Sequence, residues 1–162
     1  MDEARAKGYS SGMSDVPDWM WNDDHSAFRD LVGYGPIAWR EFYVELALTL
    51  DERHRNRSGV AHGGVIATLA DAAGGFAGCW CPHPGRIRRA STLSLTTHFV
   101  SVARMGRRLI AKGSANRGGK SIFFATIEMI DDTGQLIATG TGVYKYRPGS
   151  ESAEGVPRDT PV

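Results

Sequence analysis

The second half of the chain alternates apolar and polar side chains with a period of two, broken only at turn residues. That pattern predicts strands over 90–100, 107–116, 121–131 and 135–146. Gly118-Gly119 and Asp131-Asp132-Thr133-Gly134 read as the hairpin turns between them. An earlier stretch, 41–50, alternates just as cleanly, with Phe42, Val44, Leu46, Leu48 and Leu50 on one side. Between this strand and the later four, residues 63–79 carry small and apolar residues continuously, which predicts a helix. Gly74, Gly75 and Gly78 weaken its propensity but allow close packing. Cys81-Pro82-His83-Pro84-Gly85 then stops it by removing donors and forcing turns. One strand, a long buried helix and four antiparallel strands describe an α+β domain in which a five- to six-stranded sheet wraps one helix.

The ends of the chain lack such order. Residues 1–17 are polar with no period, and the segment 148–162 is rich in Ser, Glu, Gly and Pro, so both are expected to be disordered tails. Residues 18–32, with Trp19, Trp21, Phe28 and Leu31, read as a short N-terminal helix or arm packed on the domain. The domain therefore runs over 18–147, and neither an internal repeat nor an interdomain linker is visible.

Asp71 is the sole charged side chain between Gly63 and Trp80. A helix apolar all round is expected to be buried, and an unpaired carboxylate there costs several kcal/mol. Such a group calls for chemistry or a dedicated partner. The helix opens with His62-Gly63-Gly64, where two bare backbone N–H groups sit at the positive end of the helix dipole. That arrangement suits an anion, or a carbonyl becoming an oxyanion during acyl transfer. Asp71 lies seven residues beyond Gly64, about 10 Å along the axis at about 1.5 Å per residue. A nucleophile works at about 3–3.5 Å. One helix cannot serve one carbonyl with both groups, whereas two antiparallel copies can, so the sequence argues for a homodimer with composite sites.

The segment resembles the signature of the hotdog-fold acyl-CoA thioesterases, specifically the phenylacetic-acid-degradation type of the 4-hydroxybenzoyl-CoA thioesterase superfamily. In that group an Asn lies six residues before a His-Gly-Gly, and an acid lies nine after the His; Asn56, His62 and Asp71 meet both spacings. The likeness continues through Thr92, the run Phe99 to Gly106, and Gly119-Lys120-Ser121, and spans roughly 36–146. It departs at Val102, where the family carries a Pro. The resemblance implies the hotdog fold and hydrolysis of acyl-CoA thioesters. It assigns the Gly63 N–H and Asn56 to the thioester carbonyl, Asp71 of the partner chain to water activation or direct attack, and Thr92 to orienting the water. His62 and Gly64 position substrate. Gly119, Lys120, Ser121 and, more weakly, Arg89 contact the CoA. Asn56 reads equally as holding a loop turn, and His62 as a helix cap. Pairing of dimers into tetramers rests on resemblance alone.

Composition narrows the alternatives. At 162 residues with a net charge of +1, the chain has no basic field for nucleic acid or an anionic membrane. It has no run near the ~20 apolar residues of a membrane span, and no signal-peptide core at its N-terminus. Cys79 and Cys81 are too close for an ordinary structural disulfide, which fits a reduced, cytoplasmic setting. With His83 they fall short of a metal set at familiar spacing, and small buried thiols are the simpler reading. There is no GxGxxG after a strand and no P-loop, so no nicotinamide, flavin or metal cofactor is expected, and coenzyme A enters as part of the substrate. Two other classes remain: a hotdog dehydratase acting on acyl carrier protein, and a non-catalytic acyl-CoA-binding protein. Phe76, Trp80 and the Trp19/Trp21 arm are candidates to line an apolar acyl cleft of unspecified substrate.

Overall fold

A computed structural model describes residues 16–21, 26–117 and 119–161. The elements are α1 (Asp18–Trp21), α2 (Ala27–Val32), β1 (Gly35–Arg40), β2 (Tyr43–Thr49), α3 (Gly63–Ala77), β3 (Arg86–Ile87), β4 (Ala90–Phe99), β5 (Arg108–Arg117), β6 (Ile122–Asp131), β7 (Leu136–Tyr146) and β8 (Val156–Pro157). Six strands form one antiparallel sheet in the order β1-β2-β5-β6-β7-β4, and α3 lies across it. This is the hotdog arrangement expected of the sequence, with each predicted strand present to within two residues at either end.

Alternation sets which side meets the helix. Along β6, Phe123, Ala125, Ile127 and Met129 are buried toward α3, while Phe124, Thr126 and Glu128 point away. Asp131 fixes the β6–β7 hairpin: its Oδ1 accepts from the backbone N–H groups of Thr133 at 2.9 Å and Gln135 at 3.0 Å. The helix approaches β5 so closely that a Cβ at Gly113 would overlap the Ala73 carbonyl.

Four features differ from the sequence reading. First, α3 is not buried all round. Ile66, Leu69, Ala70, Ala73, Gly74 and Ala77 form the buried stripe, whereas Val65, Thr68, Asp71, Ala72 and Gly75 are half-exposed in a single chain. The sheet covers one face only, and small residues on the other give no polar signal of exposure. Second, β1 joins the sheet at the β2 edge, with a register irregularity between Pro36 and Ala38 that hides its period.

Third, the segment 148–162 is not a disordered tail. Residues 148–161 fold back over the 80–89 segment, and β8 pairs with β3. Arg86 donates to the Glu154 and Gly155 carbonyls at 2.6 and 2.7 Å, and Arg88 to the Ser150 carbonyl at 3.0 Å. Arg89 donates to the Thr160 and Arg158 carbonyls at 2.7 and 2.6 Å. Fourth, of the tail expected over 1–17, residues 1–15 lie outside the described residues, but Val16 is buried in the core. The 18–32 arm is two short helices, and its Met20 packs into the same core. Among the described residues no helix is long and apolar enough to cross a membrane.

Candidate active site

The loop before α3 is held by local hydrogen bonds. The Asn56 Oδ1 accepts from the Ser58 N–H at 2.8 Å and from the Val60 N–H at 3.3 Å, so its carbonyl end closes the 56–60 turn. Its NH2 end remains the group able to face a ligand. The buried His54 ties the loop to the arm: Asp51 N–H donates to its Nδ1 at 2.9 Å, and its Nε2 pairs with the Val32 carbonyl at 2.7 Å. Its own carbonyl accepts from His62 N–H at 2.7 Å. Sequence reasoning missed His54, because a histidine in a polar loop carries no periodic signal.

His62 is the N-cap of α3, and its Nδ1 accepts from the Gly64 N–H at 2.8 Å. The Gly64 amide is therefore occupied within the chain, and His62 takes the capping role rather than a visible acid–base one. The Gly63 N–H, at the first helical position, has no intrahelical acceptor by construction. A Cβ at Gly63 would meet the Phe99 ring at an ordinary 3.6 Å, so the position has room for a side chain.

Asp71 sits two turns further along this unbroken helix. Its Oδ1 accepts from the Thr92 hydroxyl at 2.8 Å. Thr92 lies on β4 where the register against β7 slips between Thr92 and Ser94, a bulge that re-aims side chains. The Tyr144 hydroxyl donates to the Asp71 carbonyl at 3.3 Å and lies where a Cβ on Gly74 would collide with it. Burial, reinforced by the Asp71 carboxylate, pushes the Tyr144 pKa well up. Tyr34 is also raised, first by burial, with the Arg29 charge opposing and Asp71 adding to the rise. Both tyrosines therefore stand in the field of Asp71, and neither was singled out by sequence, since each looks like an ordinary core aromatic.

Sequence-predicted residues for CoA are distributed unevenly. Gly119 and Lys120 are exposed on the β5–β6 connection, and the carbonyl of the half-buried Ser121 accepts from Tyr146 N–H at 2.9 Å. Gly118 lies outside the described residues. β4 starts opposite Tyr146, so this connection and Thr92 lie at one end of the sheet. Arg89 does not fit its expected part as a phosphate contact: its guanidinium is committed to the C-terminal segment. Cys79 and Cys81 are buried free thiols, Cys79 pushed up to about 12 by burial, and His83 Nε2 pairs with the Glu154 carboxylate at 3.4 Å.

Comparison with known proteins places this geometry. A relative from Archaeoglobus fulgidus, provisionally named an esterase, is 30% identical over 132 residues, covering 80% of each chain. Mouse acyl-coenzyme A thioesterase 13 is 30% identical over 94 residues, which is 57% of this chain and 65% of that protein. The solved structure of the E. coli PaaI protein, from the phenylacetic acid degradation operon, superposes with a TM-score of 0.67 at 23% identity, over 76% of this chain and 86% of that one. The family model of the thioesterase superfamily matches residues 58–138, from Ser58, two residues past Asn56, through α3 to the start of β7, and the chain belongs to that superfamily.

Proposed function

We propose that the protein hydrolyses acyl-CoA thioesters in composite sites of a homodimer, with Asp71 as the general base. The observation that carries the reading is the carboxylate of Asp71 held by Thr92 at 2.8 Å, two turns from the open Gly63 N–H on the same straight helix. Family membership and the likeness to mouse acyl-coenzyme A thioesterase 13 support the thioester and the CoA.

In this mechanism the thioester carbonyl accepts from Gly63 N–H, and from the NH2 of Asn56, of one chain. Asp71 of the other chain takes a proton from water as its oxygen bonds to the carbonyl carbon. The oxyanion so formed is stabilised by the helix dipole and the amide donors. Collapse breaks the C–S bond, and CoA leaves as the thiol once its sulfur gains a proton. Thr92 fixes one carboxylate oxygen and leaves the other for water. Lys120, exposed at the same end of the sheet, faces the phosphates of CoA.

The dimer itself is supported by the sheet edge. β4 pairs with β7 on one side only, and Leu93, Phe99, Val100 and Val102 are more than half exposed there. A second copy docked on this edge and on the open face of α3 covers both, and brings the two helices side by side.

The test is CoA release from a panel of acyl-CoAs by the wild-type protein and Asp71→Asn, with hydration of an enoyl substrate on acyl carrier protein measured in parallel. Hydrolysis abolished by the substitution is expected. Wild-type turnover in Asp71→Asn, hydration without hydrolysis, or tight binding without turnover overturns the assignment. In a single turnover in isotopically labelled water, label on Asp71 identifies an anhydride opened at the aspartyl carbon, because a general base keeps its own oxygens.

A further inference from the structure

Toward the C-terminal end of α3 from Asp71 lies a cavity of about 110 Å³ lined by Met20 and Trp21 of the arm together with Tyr34, Trp39, Phe76 and Arg88. Its walls are interlocked rings. Trp21 lies 5.0 Å from Phe76 and 6.1 Å from Trp39, and Trp39 meets Phe76 edge-on at 5.4 Å. The Trp39 indole N–H donates to the Phe76 carbonyl at 3.0 Å, which fixes that ring. Phe76 is five residues past Asp71 on α3, about 7.5 Å along the axis. Tyr34 joins the two regions, since it lines the cavity and senses the Asp71 charge.

The charged groups at this cavity are already engaged. Arg88 donates to the carbonyls of Ser150, Glu151 and Trp80, and Arg29 to the Trp21 carbonyl and the Asp30 carboxylate. Apart from the Tyr34 phenol and Ser26, what remains facing the space is apolar. The wall formed by Trp21 is the one supplied by the arm, and it is pinned from both ends. The Arg29 guanidinium lies 4.6 Å over the Trp21 ring. Arg158 donates to the Trp19 carbonyl at 3.0 Å, and the Arg158 carbonyl is itself held by Arg89. The C-terminal segment thus backs the arm.

We propose that this cavity receives the far end of the acyl group, and that Trp21 closes it and limits the chain to short, uncharged acyl groups. The proposal rests on the acyl-CoA hydrolase reading above. At about 110 Å³ the cavity is smaller than the ~150 Å³ space known to take a benzene ring, so it has room for only a few carbon atoms. A butanoyl or hexanoyl group is accommodated with its tail short of the cavity or partly inside it, whereas a decanoyl chain meets Trp21.

The experiment compares kcat/KM for butanoyl-, hexanoyl- and decanoyl-CoA in wild type, Trp21→Ala and Arg158→Met. The wild type is expected to prefer the two shorter chains. A single methylene in an apolar pocket changes kcat/KM by roughly 10–200-fold, so Trp21→Ala should raise the decanoyl-to-butanoyl ratio at least tenfold. Arg158→Met, which frees the arm without enlarging the cavity, should move the ratio the same way by less, and it carries the test should Trp21→Ala fail to fold. An unchanged ratio in a folded Trp21→Ala, or in Arg158→Met where the first variant does not fold, overturns the proposal. If the wild type hydrolyses none of the three, the hydrolase reading has failed, and calorimetric titration of the same acyl-CoAs decides the pocket. Affinity that falls with chain length in wild type but not in Trp21→Ala supports it, and equal length dependence refutes it.

Discussion

Removing the Thr92 hydroxyl and the Asp71 carboxylate separately and together tests whether they act as one unit. The hydroxyl donates to Oδ1 at 2.8 Å, a hydrogen bond to a charged acceptor. Such bonds are worth about 1.5–3 kcal/mol when sheltered, or roughly 10- to 150-fold in rate. Thr92 is exposed and Asp71 half-exposed in one chain, so water can replace much of the bond, and the lower end, about tenfold, is the expected loss in kcat for Thr92→Val. Thr92→Ser keeps the hydroxyl and should retain most activity. Asp71→Asn, which preserves shape, should lose ~10²–10⁴-fold as a general base is removed. If Thr92 works only by holding the carboxylate, the double variant has nothing further to lose and turns over as slowly as Asp71→Asn alone. Steady-state CoA release on the four proteins, with KM recorded separately, completes the cycle. Losses that multiply, with Thr92→Val costing the same factor in both backgrounds, refute the coupling and give Thr92 a role independent of Asp71.

Composite sites predict complementation: Asp71→Asn mixed with Asn56→Ala/Gly63→Val should regain part of the wild-type rate after subunit exchange. No recovery between folded, verified heterodimers ends the shared-site argument; a Cβ at Gly63 comes no closer than 3.6 Å to Phe99, and circular dichroism checks that the valine variant is folded. Ending the chain at residue 149 deprives the buried Arg88 of the Ser150 and Glu151 carbonyls. A loss of about 3–5 kcal/mol, or roughly 10 °C in Tm, is expected, and an unchanged melting curve would show the segment to be dispensable. Stability should also fall in alkali. Burial raises Cys79 from 9.0 to about 12, and burial with the Glu45 hydrogen bond raises Tyr43 from 10.0 to about 12. The unfolded chain releases these protons first, so the contribution is full below about pH 9 and is lost as pH rises toward 12. A denaturant midpoint flat from pH 8 to 11 contradicts this.

What the sequence made legible follows the physics of each signal. Strands β2 and β5–β7 were readable because their burial is side-chain burial, which leaves a period; β4 alternates in sequence although its side chains are largely exposed in one chain, and α3 was readable from its unbroken run of small and apolar residues. Strand β1 was not, since the irregularity between Pro36 and Ala38 breaks its alternation. The C-terminal segment was misread for a deeper reason: Arg86, Arg88 and Arg89 grip it through backbone carbonyls, which every residue possesses. A segment bound in that way can have the composition of a disordered tail. The candidate site divides along the same line. The His62 cap and the Asn56 turn follow from residue type and position, whereas pairing Asp71 with Thr92 came from resemblance, because contacts between a helix and a strand 21 residues apart leave no local pattern. The open face of α3 shows the remaining limit. Ala72 and Gly75 look the same in sequence whether sheet, solvent or a second helix lies over them. Small residues there permit two backbones to approach, and Asp71 on that face can then reach the neighbouring Gly63 that its own helix holds about 10 Å away.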